Sequence, residues 1–330
     1  MKISLLLKKL RPYTLLISIF LGLVTFICFH NISYLAPIKP IANSVYNTLP
    51  YLLFFILFFA FSKINFKQMK PKRWHFYLAL LQLVVSSIIV LIAVTSNLEN
   101  NIYLCGALVC IITPTAASAS VIASKLGGCQ SSLTTYIIIS NIAAAIEIPI
   151  LFPIIRHVEH THILLDFFTI LLKVFPLIIL PLIASIVVRF TFKKLQLLII
   201  NHTKDLGYYL WAFVLVVLSA KTTANIVKEA CSLNSLIWMG GVGLLCAILQ
   251  LVIGKIIGQF DGQRVSAGQG LGQKNTLFAI WIAMAYLGST VAIIPGTYVL
   301  WQNLINAFQM YLREKQVMKC QKEGIEPYQE

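Results

Sequence analysis

The sequence predicts an all-α integral membrane protein of ten transmembrane helices (spans 1–10), forming an inverted 5+5 repeat whose broken helices 4 and 9 cross at mid-membrane. Three observations support this prediction: an apolar composition, ten windows of spanning length, and basic residues concentrated in alternate loops. Hydrophobic residues make up 58% of the 330 residues and charged residues only 11%, whereas soluble domains are about 25% charged. A lipid bilayer is therefore the expected environment.

Crossing about 30 Å of hydrocarbon takes roughly 20 helical residues, and ten windows near this length follow one another along the chain. They fall near residues 13–29, 44–62, 75–95, 102–125, 130–153, 163–188, 206–222, 235–257, 265–288 and 290–312. A basic stretch precedes the first window, as in a signal peptide, but no clear cleavage site follows it. We therefore interpret this window as a retained helix.

Lysine and arginine are concentrated at the N-terminus, in the loops after spans 2 and 6 and in the C-terminal tail. The loops after spans 4 and 8 contain fewer basic residues but fit the same alternation. The intervening loops contain few basic residues. Because cytoplasmic loops carry the positive excess, both termini are predicted to be cytoplasmic, in a plasma or inner membrane. The net charge of +15 does not indicate nucleic-acid binding, since the basic residues form no continuous face with interleaved aromatic residues.

Ten spans divide into two sets of five, and the second set starts from the opposite side of the membrane. The fourth span of each set is interrupted near its middle, by Pro114 in span 4 and by Gly270 and Gly272 in span 9. Proline removes a helix hydrogen bond and glycine weakens helix continuity. Paired interruptions of this kind point to a transporter binding site. Alternatively, Pro114 only kinks its helix and the glycines allow close helix packing.

Polar residues cluster at the predicted mid-depth of spans 3, 4, 9 and 10, where polar groups are functional candidates. The candidate substrate- and ion-binding residues are Gln82, Thr113, Pro114, Thr115, Ser118, Ser120, Gly270, Gly272, Gln273, Lys274, Asn275, Gln302 and Asn303. Lys274 could neutralise carbonyl-rich helix ends, pair with an anionic substrate, or carry a coupled proton. Alternatively, span 9 begins only near Asn275 and Lys274 is a cytoplasmic boundary residue.

The sequence leaves open the roles of three further features. Glu147 is predicted near the outer end of span 5, about half a bilayer from Lys274, which favours an interfacial structural role over a direct pair. Lys173, beside Pro176 in span 6, either lines a cavity or hydrogen bonds to carbonyls freed by the proline. The run from His157 to His162 has metal-ligand residue types, but its alternate spacing in a loop is weak evidence, and no metal site is predicted.

Five segments resemble, in order, the motifs of the bile acid:sodium symporter family. Leu80–Leu83 resembles the family's LLxQF-like segment, Pro114–Val121 its P-G-G-T-x-S-N-V segment, and Ser131–Thr135 the Ser/Thr-rich opening of its helix 5. Gly270–Ala279 resembles E-x-G-x-Q-N-x-x-L-A, and Pro295–Asn303 resembles the P-G…W-x-N segment of helix 10. The resemblance implies a symporter-type fold.

This resemblance also implies secondary active transport of a small organic anion by alternating access; bile acids, pantothenate and keto acids are typical family substrates. It further implies panel and core domains. Panel helices 1–2 would occupy residues 1–73, core helices 3–5 residues 74–156, panel helices 6–7 residues 157–232, core helices 8–10 residues 233–312, and a cytoplasmic tail residues 313–330.

The chain departs from these motifs where the family binds two sodium ions. With Asn275 in register, the family's Glu becomes Gly270, its Gln becomes Lys274, and the Ser-Asn of helix 4 becomes Ala119-Ser120. Losing a carboxylate and gaining an ammonium both disfavour sodium. We therefore predict altered sodium sites, with Lys274 as a tethered cation. A one-residue insertion would instead align Gln273 with the family's Gln. No cofactor is predicted, and sodium or proton coupling stays open.

Other function classes have less support. A sodium- or proton-coupled efflux carrier of the auxin-efflux type shares crossed, inverted-repeat helices. A non-transporting membrane sensor would need a signalling domain, but only eighteen residues follow Leu312. No phosphate loop, Ser/His/Asp arrangement or HExxH helix indicates an enzyme, and seven cysteines without a CxxC pair indicate neither disulfides nor zinc. The expected partners are the lipid bilayer and the anionic substrate, with the oligomeric state unknown.

Overall fold

The computed structural model describes residues 14–64, 69–155, 163–202, 206–229, 231–323 and 325–330. Fourteen α-helices follow one another in these residues, because backbone groups in hydrocarbon must be satisfied within a segment. In chain order they are α1 Thr14–Asn31, α2 Lys39–Asn47, α3 Leu49–Ser62, α4 Arg73–Thr95, α5 Ile102–Ile112, α6 Ala119–Lys125, α7 Gln130–Ile155, α8 Ile163–Thr191, α9 Lys193–His202, α10 Leu206–Lys228, α11 Leu233–Gln259, α12 Arg264–Gly272, α13 Thr276–Tyr286 and α14 Ile293–Glu323.

Every predicted window contains a helix or a pair of half-helices. Six helices of the described part of the chain are long and apolar enough to cross a membrane: Pro40–Ser62, Arg73–Thr95, Gln130–Ile155, Leu164–Thr191, Leu206–Lys228 and Leu233–Gln259. The prediction of a multi-pass helical membrane protein is confirmed, whereas the count of ten spans and the inverted repeat stay predictions. Helix α14 continues past the predicted end at 312 because the residues that follow are polar but good helix formers.

Span 4 is broken between α5 and α6. Helix α5 begins after Asn101, whose Oδ1 accepts hydrogen bonds from the N–H groups of Tyr103 and Leu104 at 3.1 and 3.0 Å, as an N-cap residue does. The helix ends where Thr113 becomes extended, with φ −67° and ψ 146°. A residue before proline is displaced from the helical region, so Pro114 accounts for the break.

Span 9 is broken between α12 and α13. Helix α12 ends at Gly272, and Gln273 is extended, with φ −99° and ψ 90°. Asn275 then caps α13, because its side chain accepts from the N–H of Phe278 at 3.4 Å. Asparagine is among the preferred N-cap residues, so the break coincides with a start signal for a new helix.

The described residues fall into two compact units. The first comprises those within 1–62 and 181–231. Here α1 packs on α10 at Gly22, where an added Cβ would lie 2.6 Å from Cβ of Ser219; small residues allow such close approach between membrane helices. The hydroxyl groups of Thr14 and Tyr208 form a hydrogen bond between the same two helices.

The second unit comprises the described residues within 63–180 and 232–330. In it α12 packs closely on α11, since a Cβ on Gly254 would lie 2.6 Å from the carbonyl oxygen of Ala267. The division falls within α8 at Pro181, whereas the sequence prediction places the whole of span 6 in the panel. The assignment of panel and core roles stays a prediction.

Candidate functional site

The extended residues of the two broken spans pair with each other. Thr115 and Lys274 form an isolated antiparallel bridge. The N–H of Ala116 donates to the carbonyl of Gln273, and the N–H of Asn275 donates to the carbonyl of Pro114, both at 2.8 Å. These bonds satisfy backbone groups that the helix breaks leave free, which is required at membrane depth. The segments 113–116 and 273–275 are called the crossing below.

The Lys274 side chain is enclosed at the crossing, with 1% of its surface exposed. Its Nζ donates to Gln82 Oε1 at 2.9 Å and to the carbonyl oxygens of Ile111 and Thr113 at 2.7 and 2.9 Å. Three acceptors around one nitrogen require three N–H groups, which only the ammonium form has. The two carbonyls lie at the C-terminal end of α5, where the helix dipole is negative.

Helix α12 precedes Lys274 and continues back to Arg264. Lys274 therefore lies between two helices, α12 before it and α13 after it, and the inclusion of α12 in span 9 stays a prediction. The break that follows Gly272 directs the lysine toward the end of α5, where its four methylene groups are buried and its charge is fully hydrogen bonded.

Gln82 connects Lys274 to Glu147. Its Nε2 donates to the carbonyl of Ile112 at 3.1 Å and to Glu147 Oε2 at 3.3 Å, while its Oε1 accepts from Lys274. Glu147 is 3% exposed. The sequence favours an interfacial role for Glu147 over a direct pair with Lys274. The structure joins the two residues indirectly, through Gln82, and the membrane depth of Glu147 stays a prediction.

Thr115 joins the two broken spans to α7. Its Oγ1 donates to the carbonyl of Gly270 at 2.6 Å, and its N–H donates to Ser140 Oγ at 3.0 Å. Gly270 itself is enclosed, since an added Cβ would lie 2.8 Å from a ring carbon of Tyr136 and 3.1 Å from Cδ1 of Leu133. There is consequently no space for an acidic side chain at the position where the resembling motif has Glu.

Amide side chains of α12, the crossing and α14 form a second network. Gln302 Oε1 accepts from the N–H of Lys274 at 3.2 Å, and Gln273 Oε1 accepts from Asn306 Nδ2 at 2.7 Å. Asn306 Oδ1 in turn accepts from Gln269 Nε2 at 3.0 Å. This network holds the backbone of the crossing against α14.

Some of the predicted residues lie outside both networks. Asn303 Nδ2 donates to the carbonyl of Val299 in its own helix at 2.7 Å. Ser118 is exposed, and Ser120 Oγ donates to the nearby carbonyl of Ala117 at 3.3 Å. A polar residue at the predicted depth therefore does not by itself join the site, because the face on which it lies also matters.

Two other features were left open by the sequence. Lys173 is exposed on α8. The run from His157 to His162 lies outside the described residues. Within the described ranges, no group of three or more His, Cys, Asp or Glu residues could hold a metal ion.

Sequence reasoning missed several residues of the networks. Asn306 lies four residues after the predicted site residue Gln302, on the same side of α14, and Gln269 lies four residues before the predicted site residue Gln273. In a predicted helical span this spacing places residues on one side, so it could have identified both. Ser140 has no comparable signal. Tyr298 Oη donates to the carbonyl of Gly272 at 2.7 Å, closing the C-terminal end of α12, and was likewise missed.

The sequence was compared with models of known protein families. The model of the sodium bile acid symporter family matches residues 50–229, more than half of the chain. The chain belongs to this family. It is therefore a multi-pass membrane transporter, in a family of symporters that move organic anions. Gln82, Thr115 and Glu147 lie within the matched residues, whereas Lys274 lies beyond them. None of the curated proteins matches the sequence.

Proposed function

We propose that this member of the sodium bile acid symporter family moves a small organic anion by alternating access, with the Lys274 ammonium in the place of a coupled sodium ion. The observation that carries the proposal is the set of three oxygens around Nζ: Gln82 Oε1 and the carbonyls of Ile111 and Thr113. Oxygens of this kind are the ligands of hard cations, and here a covalently attached cation holds them.

A second cation beside this ammonium would be strongly repelled. Two unit charges about 4 Å apart repel by roughly 4 kcal/mol at an effective dielectric constant of about 20, which weakens binding roughly a thousandfold. The resembling motif has a carboxylate at position 270, beside the crossing, but this chain has Gly270 there, and Tyr136 and Leu133 fill the space. The charge and the packing at the crossing therefore both disfavour sodium.

The same charge favours an anionic substrate close to the crossing. Lys274 uses all three N–H groups on protein oxygens, so it would attract the anion through space and not by a direct hydrogen bond. Helix α13 begins at Thr276 beside the crossing, so the positive end of its dipole lies in the same region. An organic carboxylate or sulfonate fits this arrangement.

Exchange assays in proteoliposomes test this function. Purified protein is reconstituted, and counterflow of taurocholate, pantothenate and pyruvate is measured in sodium medium and in choline medium. We expect exchange of at least one anion at equal rates in both media. Strict dependence on sodium would overturn the role of Lys274, and no exchange of any of the three by folded protein would contradict organic-anion transport.

A substitution series then tests Lys274 itself. Lys274→Gln removes the ammonium and restores an uncharged amide, so we expect exchange to become stimulated by sodium. Lys315→Gln, on the exposed end of α14, is the matched control and should remain indifferent to sodium. A Lys274→Gln protein that exchanges at the wild-type rate without any response to sodium would argue against a tethered cation.

A further inference from the structure

A carboxyl group buried beside the crossing has no role in the function proposed so far. Glu147 lies on α7, is 3% exposed, and accepts from Gln82 Nε2 at 3.3 Å. Ionisable side chains inside a membrane are costly and mark ion or proton pathways by default. Lys274 is joined to it through the same glutamine, and no ion pair within 4 Å joins the two in the described residues.

The charges of this trio suggest how the site responds to an anion. With Glu147 ionised and Lys274 an ammonium, the site is neutral while it is empty of substrate. A monovalent anion bound beside Lys274 adds one negative charge in a region of low dielectric constant, where uncompensated charge is strongly disfavoured. One proton on Glu147 restores neutrality.

Other titratable groups near this trio do not offer the same compensation. Cys110 of α5 and Cys246 of α11 face Lys274, Tyr136 of α7 faces Glu147, and Tyr298 of α14 lies close to both cysteines. Thiols and phenols are ordinarily protonated at neutral pH, so they start neutral and have no proton to gain. Glu147 alone among these groups can exchange a negative charge for a neutral form.

We propose that Glu147 is the proton-carrying residue of the transport cycle. It takes one proton from hydronium, leaving water, when a monovalent anion binds beside Lys274, and it returns that proton to water when the anion leaves on the other side. Each cycle then moves one anion and one proton with no net charge. Gln82 acts as a positioning residue, because it holds the carboxyl group and the ammonium on opposite ends of one amide. This inference rests on the proposed organic-anion transport.

The test separates coupling from transport. Counterflow needs no driving force, so it reports whether taurocholate, pantothenate or pyruvate is carried at all. Net uptake is then measured with the vesicle interior more alkaline by one pH unit, with protein-free vesicles subtracted to remove passive entry of the acid form. One proton per anion supports up to about tenfold accumulation, and we expect accumulation that approaches this ratio.

Two substitutions make the assignment specific. Glu147→Gln has no carboxyl proton to exchange, so the ratio of its uptake with the pH gradient to its uptake without one should fall to about one. Glu314→Gln, at an exposed position of α14, is the control and should retain the wild-type ratio. Counterflow without accumulation in the wild type would overturn proton coupling, and accumulation that survives Glu147→Gln would overturn the assignment of the proton to Glu147. Either result leaves the proposed function standing.

A measurement that needs no substrate tests Glu147 even when none of the three anions is exchanged. If none of the three anions exchanges, the proposed function fails, and infrared titration of the solubilised protein still tests Glu147. The carboxylic acid C=O absorption of all eleven Asp and Glu residues grows on acidification, and we expect one component of it to be missing from Glu147→Gln. Identical spectra for the wild type and Glu147→Gln would overturn the assignment of the proton to this residue.

Discussion

Lys274 illustrates how a single residue can keep a charge deep in an apolar protein. Its ammonium meets three oxygens at 2.7 to 2.9 Å, which replace the water molecules that a surface lysine would bind. Two of the three are carbonyls freed by the break after α5. The break and the lysine are therefore complementary, because each satisfies polar groups that the other would leave unpaired.

A stability measurement tests this complementarity at the residue scale. Lys274→Met keeps the length and the apolar stem of the side chain but leaves three oxygens without their donor. Leaving a buried acceptor without its donor typically costs about 1–3 kcal/mol, so the thermal unfolding midpoint in detergent should fall clearly. Lys315→Met, at an exposed position, should change stability by less than about 0.5 kcal/mol. Equal midpoints for the two variants would contradict the structure.

At the scale of elements, the short helix α12 is held by its packing on α11 and by a cap at its N-terminus. The packing depends on Gly254, where an added Cβ would lie 2.6 Å from the carbonyl oxygen of Ala267. The cap is the Glu330 carboxylate, which accepts from the N–H groups of Val265 and Ser266 and from Ser266 Oγ at 2.6 Å. Both contacts place α12 so that the crossing follows it directly.

Two glycines of α11 provide a matched pair for the packing. Gly254→Ala introduces a methyl group into occupied space, and such overpacking should lower the free energy of unfolding by about 2 kcal/mol. A Cβ added at Gly240 would have no neighbouring atom within 4 Å. Gly240→Ala should therefore leave stability unchanged or raise it, since alanine is the better helix former. Thermal unfolding of both variants checks the prediction, and a Gly254→Ala protein as stable as the Gly240→Ala protein would refute it.

The cap on α12 is tested by hydrogen exchange. Glu330→Gln keeps the shape of the side chain but removes the negative charge that the helix N-terminus favours, an effect of about 0.5–1 kcal/mol. Amide exchange in the segment containing Val265 and Ser266 should therefore rise roughly two- to fivefold. The control is Glu326→Gln, at an exposed position, which should leave the exchange rate of this segment unchanged. An unchanged exchange rate in Glu330→Gln would show that the Glu330 carboxylate does not cap α12.

At the scale of the whole molecule, the distribution of basic residues predicts which loops face the cytoplasm. Residue 100 follows span 3 and residue 326 follows span 10, so seven predicted spans separate them. Because seven is odd, the two positions must lie on opposite sides of the membrane if the ten-span arrangement holds. The six long apolar helices do not by themselves decide this, since the broken spans consist of shorter segments.

Cysteine labelling tests that arrangement. In a variant without the native cysteines, Asn100→Cys should react with a membrane-impermeant maleimide in intact cells. Glu326→Cys should react only after permeabilisation, because positive-inside loops place the tail in the cytoplasm. Both positions are exposed, so access within the protein does not limit the reaction. Labelling of both from the same side would refute the span count.

The sequence by itself determined the membrane environment, the positions of the helices and the two breaks. Hydropathy is a property of a contiguous segment, and Pro114 and Asn275 act on the residues next to them. These features are local, so a local pattern is sufficient to predict them. The candidate list also contained Gln82, Thr115 and Lys274, which the structure brings together.

Only the tertiary structure decided which polar residues meet. Gln82 and Lys274 are 192 positions apart, and the link from Gln82 to Glu147 depends on the packing of α4 against α7. Asn306 joins the site whereas Asn303 bonds to its own helix, because helix rotation determines which face reaches the crossing. Contacts between distant segments depend on packing geometry at the scale of single side chains, which a one-dimensional pattern does not contain.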